Sequence, residues 1–79
     1  MSKASVYFTL GHMEDKHSAK EIKQGLDTLP GVTAVSVNDD SCHVAVDFDT
    51  TAIQSGRIER QLEEMGYEIV DSKLDSELM

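Results

Sequence analysis

Between residues 12 and 17 the chain places two imidazoles, a thioether and a carboxylate: His12, Met13, Asp15 and His17. Groups of this kind can share a divalent ion such as Zn(II), Ni(II) or Cu(II), because imidazole nitrogen suits borderline ions and a carboxylate or thioether can complete the set. Cys42 and His43 stand further along and would add a thiol and a third imidazole if the fold returns them to this loop. The same residues also describe a plain solvated polar loop. No two cysteines stand three apart, no H-x-x-x-H pair lies on a helix, and His12 and His17 are separated by five positions across a helix start. Cys42 is the only cysteine, so an intrachain disulfide and a Cys-x-x-Cys site are both excluded.

The elements that must position these residues are legible from hydrophobic periodicity. Ser5 to Leu10 alternates Val6, Phe8 and Leu10 with Ser5, Tyr7 and Thr9, the two-residue period of a half-buried strand. After the polar stretch Gly11 to His17, Ala19, Ile22, Leu26 and Leu29 fall three and four apart on one helical face. Ser18 and Glu21 form the S-x-x-E pattern of a capping box, and Pro30-Gly31 stops the helix at Leu29. Val32 to Val37 and His43 to Phe48 read as a hairpin around the turn-forming Asn38 to Ser41. Cys42 is in phase with Val44, Val46 and Phe48, which suits a small buried hydrophobe more than a reactive thiol, and His43 is the only basic residue beside it. A second helix carries Ile58, Leu62 and Met65 and ends at Gly66; its start is open between the T-x-x-Q pattern of Thr51 to Gln54 and Ser55. Tyr67 to Val70 reads as a short last strand, followed by an aperiodic acidic stretch.

Strand, helix, strand, strand, helix, strand predicts an α+β, ferredoxin-like βαββαβ sandwich: a four-stranded antiparallel sheet with two helices on one face. Residues 1–71 form one domain in this reading, and residues 72–79 an acidic, disordered tail. That topology brings Gly11 to His17, Cys42 and Tyr67 to one end of the sheet. Seventy-nine residues leave no room for a large enclosed catalytic cavity. With no Ser-His-Asp arrangement, phosphate-cradling glycine loop or carboxylate pair in an apolar pocket, enzymatic activity is not expected. A formal charge of −8 repels nucleic acid and anionic lipid. No apolar run approaches the roughly 20 residues of a membrane span or the apolar core of a signal peptide, so a cytoplasmic protein is expected.

Leu29-Pro30-Gly31-Val32, Val35 and Val37, Val44-x-Val46-x-Phe48-Asp49 and Glu64-Met65-Gly66-Tyr67 together resemble the heavy-metal-associated domains of copper chaperones and metal-pumping ATPases, over roughly residues 5–70. In that family the loop after the first strand reads M-x-C-x-x-C, and its two thiolates hold Cu(I) or another soft ion. Counting back from Leu29 without gaps puts Met13 on the family's Met, Asp15 on its first Cys and Ser18 on its second. Both thiol ligands are thus replaced by hard oxygen groups, a poor match for a soft monovalent ion. Asp15 and Ser18 do suit a helix start, where each would cap unpaired backbone N–H groups. The resemblance also implies that Met13 points under the loop into the core, where a flexible thioether fills gaps well.

Lys16, Lys20 and Lys23 recur at helical spacing and form a basic stripe on an acidic chain, with Tyr67 expected nearby; a solvated face is the simpler reading. The resemblance implies electrostatic docking through this surface, with another protein such as a metal-transporting ATPase domain or a related small domain. Three functions follow. The first is a cysteine-less interaction or regulatory module in metal homeostasis. The second is a divalent-ion binder using His12, His17 and Asp15, Met13 or Cys42, and the third is a subunit self-associating through an edge strand.

Overall fold

A computed structural model describes residues 3–11, 16–38 and 40–76, with backbone alone for residues 16–18 and 76. The element order is β1 (Lys3–Leu10), α1 (Lys16–Asp27), β2 (Val32–Asn38), β3 (His43–Asp49), α2 (Ser55–Glu64) and β4 (Ile69–Ser76). The sheet is antiparallel with strand order β2-β3-β1-β4, so the two strands with clean apolar alternation lie in the middle. Ala4, Val6, Phe8 and Leu10 of β1 and Val44, Val46 and Phe48 of β3 are buried on one face. Ile22 and Leu26 of α1 and Ile58 and Leu62 of α2 cover that face and are wholly buried. The βαββαβ architecture expected from the sequence is therefore the one observed.

Element ends differ from the expected ones for local reasons. Helix α1 begins at Lys16, so Ser18 lies inside its first turn and cannot be the N-cap of a capping box with Glu21. Asp15, immediately before the first helical residue, is outside the described residues. The helix ends at Asp27, two residues before Leu29, where the Thr28 hydroxyl donates to the Gly25 carbonyl (2.7 Å) and the Leu29 N–H to the Leu26 carbonyl (3.1 Å). These bonds tighten the chain into the Pro30-Gly31 turn.

Gln54, with extended φ −104 and ψ 153, is the N-cap of α2 and makes no side-chain cap. Thr51 is no cap either: its N–H (3.0 Å) and hydroxyl (2.7 Å) both donate to Asp49 Oδ1. At the far end Gly66 (φ +95) donates to the Glu63 carbonyl and Tyr67 N–H to the Leu62 carbonyl, the paired bonds of a Schellman motif.

The last strand is the largest correction. It occupies Ile69–Ser76, and residues 72–76, expected to begin a tail, pair with β1 from Phe8 back to Ala4. An edge strand held by backbone bonds needs no apolar alternation, and Asp71, Ser72, Lys73, Asp75 and Ser76 offer none. Residues 77–79 lie outside the description.

Candidate functional site

At the end of β1 the Leu10 N–H donates to the Cys42 carbonyl and the Gly11 N–H to the Glu68 carbonyl, each at 2.9 Å. The strand is thus clamped between the β2–β3 hairpin and the lead-in to β4, which brings Gly11, Cys42 and Glu68 to one end of the sheet; residues 12–15 of the expected Gly11 to His17 segment lie outside the described residues. A Cβ at Gly11 would stand 3.0 Å from Glu68 Oε1, so this carboxylate lies against the backbone where the 12–15 segment begins. Glu68 was not among the residues singled out by type and spacing. Its only signal in the sequence is its position next to Tyr67, together with an antiparallel register that sets Leu10 opposite Ile69.

Cys42 sits in the hairpin turn with φ +58, a left-handed conformation uncommon for a residue with a side chain. It is half-buried and packs against the core, as its phase with β3 suggests, although the strand itself begins at His43. His43 is exposed and pairs with Thr9, on the strand face opposite that of buried Val44. Its Nδ1 lies 3.1 Å from Ser41 Oγ. The hairpin therefore turns the thiol toward the core and the imidazole toward the open side of the sheet, and does not offer them as a pair. His12, Met13 and Asp15 lie outside the described residues; His17 and Ser18 are placed by backbone in the first turn of α1. Among the described residues no three His, Cys, Asp or Glu side chains gather in a metal-holding set.

Helix α1 buries Ile22 and Leu26, which leaves Lys20 and Lys23 exposed, with Lys16 in step one turn earlier. Tyr67 is half-buried, packs against the core and follows the positive-φ Gly66, so its ring serves to close the end of the core. At the opposite end of the sheet, beside Lys3, the Asp49 carboxyl is held below its ordinary pKa of 3.8 by the Thr51 hydroxyl and then by the Thr51 N–H. No helix among the described residues is long and apolar enough to cross a membrane.

Comparison with known proteins bears on this arrangement. Residues 8–68 match the heavy-metal-associated domain family. The CopZ metallochaperone superposes with a TM-score of 0.79 at 23% identity, covering 84% of this chain and 98% of that one. A copper binding domain from HMA7, a P-type ATPase, gives 0.76 at 23% identity, covering 92% and 99%. The water-soluble region of the P-type ATPase CopA from Bacillus subtilis gives 0.82 at 28% identity, covering 89% of this chain and 47% of that longer one. No curated protein sequence matches. Metallochaperone-type domains of this kind are generally non-enzymatic and work in metal homeostasis. With the family matched over most of its length and the βαββαβ sandwich in place, this chain belongs to the heavy-metal-associated domain family.

Proposed function

We propose that the chain acts in metal homeostasis as a docking module and not as a thiolate carrier of metal. The observation that carries this reading is the sulfur content of the tip. Asp15 and Ser18 stand where the resembled loop has its cysteines, and the single thiol, Cys42, is half-buried against the core. A cuprous ion as cargo prefers two soft thiolates, which a carboxylate, a hydroxyl and one turned-in thiol do not supply.

What remains at this end is a shaped surface: the first helix with Lys16, Lys20 and Lys23, and Tyr67 beside the clamp. Three of the seven basic residues fall within this one helix on a chain of net charge −8, so the patch attracts an acidic protein surface while the rest of the molecule repels it. A metal-transporting ATPase domain or a related small domain, met in the cytoplasm, is the partner of this chemistry. Titrating the isotopically labelled chain with the soluble amino-terminal domain of a P-type ATPase tests the proposal. Amide shifts should concentrate in residues 16–23 and 67–68, and the K20E/K23E variant should bind at least about tenfold more weakly. Shifts confined to the β2 edge, or affinity indifferent to the reversal, would contradict it.

A second reading is favoured by the clamp, which holds Gly11 beside the Glu68 carboxylate and next to Leu10, whose N–H is bonded to the turn that carries Cys42. Here His12, Met13, Asp15, His17 and Cys42 would hold a divalent ion. Titration with Zn(II), Ni(II) and Cu(II) decides it, since imidazole signals of His12 and His17 unmoved at saturation would rule it out.

A further inference from the structure

Among the described residues, strand β4 has β1 on one side and no strand on the other, so its outer edge carries no ladder partner. An exposed edge of this kind is a template for adding a strand, and proteins commonly blunt it with charge, proline or very short length. This strand is eight residues long and has no proline. Two of the three exposed large hydrophobic residues of the described chain lie on it: Val70, 64% exposed, and Leu74, 54% exposed. Leu74 stands opposite buried Val6 and so belongs to the helix-covered face, yet more than half of it remains open at the sheet's margin. The other edge, β2, exposes Thr33, Ala34, Ser36 and Asn38 and carries no comparable apolar side chain.

The order of residues along β4 is self-complementary. In an antiparallel pair of identical strands, a two-fold axis at Ser72 sets Asp71 opposite Lys73 of the second copy, twice; Val70 sits at the irregularity where Ile69 and Asp71 pair with the adjacent Leu10 and Thr9, outside this regular stretch. Residues directly opposite share a face, so both charge pairs form on the open side, and Leu74 lies on the other. Moving the axis by one residue, to Lys73, would set lysine against lysine and Asp71 against Asp75. Lys73 alone would protect the edge from pairing, but Asp71 two residues earlier turns that protection into a register lock.

We propose that two copies of this chain join β4 to β4 about Ser72 and form a continuous eight-stranded sheet. The exposed Leu74 supplies apolar contact on the helix-covered face, and the Asp71–Lys73 pairs select the register. Helix α1 packs on the β2 side of the sheet, so its lysines stay outside the joint and dock a partner on a different surface.

Sedimentation equilibrium from micromolar to millimolar concentration at physiological salt tests this. The mass should rise from 8.7 kDa toward twice that value. D71K and K73D should each weaken association at least about tenfold, and the D71K/K73D variant, which restores every cross-pair with reversed sign, should recover to within about threefold of wild type. L74K should leave the chain monomeric. All three substituted positions are exposed, and circular dichroism verifies that each variant stays folded. A chain that remains monomeric at millimolar concentration, a double variant as weak as the singles, or association that survives L74K would overturn the proposal.

Discussion

Gly31 and Gly66 adopt the same backbone angle, φ +95, and differ in what surrounds them. A Cβ at Gly66 would meet nothing within 4 Å, whereas at Gly31 it would fall 2.8 Å from the Ala52 Cβ and 2.9 Å from Ile53 Cγ2. Those neighbours cannot swing aside. They belong to a turn in which the Ala52 and Ile53 N–H groups both donate to the Asp49 carbonyl at 3.0 Å, while the Asp49 N–H donates to the Gly31 carbonyl at 2.8 Å. Forcing a side chain into left-handed geometry costs about 1–2 kcal/mol, and that is the whole cost expected for Gly66→Ala. Gly31→Ala adds an overpacking cost of about 1–3 kcal/mol. Urea unfolding with a slope of roughly 1–1.5 kcal/mol per molar turns the difference into midpoints separated by roughly 1–2 M, with Gly31→Ala the weaker protein. Coinciding midpoints would refute the argument that the Pro30-Gly31 turn is packed against the 49–53 turn.

Two further outcomes follow from local chemistry. Asp49 should titrate below the ordinary 3.8, and Thr51→Ala should raise its midpoint, both followed by carboxyl NMR; because the folded pKa is depressed, this stabilisation is present above pH 3.8 and lost as pH falls through the folded value, so Thr51→Ala should flatten the acid limb of stability. The D15C/S18C variant, which rebuilds M-x-C-x-x-C from Met13 to residue 18, should gain stoichiometric Cu(I), measured by competition with a chromogenic chelator, and a variant that folds yet takes none would show that the loop differs in more than its two ligands.

The strands and helices that build the core were readable because burial imposes a period. Val6, Phe8 and Leu10, and then Ile22 and Leu26, declare their faces through spacing alone. Strand β4 past Val70 was not readable, since its partner is the backbone of β1 and residues 71–76 carry a single apolar side chain, Leu74. The start of α1 was misplaced because S-x-x-E at Ser18 fits a cap equally well when it lies within the first turn. At the tip, topology alone placed Gly11, Cys42 and the lead-in to β4 together. It could not foresee that the hairpin gives Cys42 a positive φ and turns it inward, or that Glu68 lies against Gly11.

The most direct test of a metal-homeostasis domain that has given up thiolate carriage is Cu(I) competition on the natural chain. With a cuprous chelator present under strictly anaerobic, reducing conditions, the protein is predicted to leave the chelator's absorbance unchanged at equimolar and at excess protein. One equivalent of copper withdrawn and retained by the wild-type chain would contradict the account, because it would mean that a loop bearing Asp15 and Ser18 holds a soft ion after all.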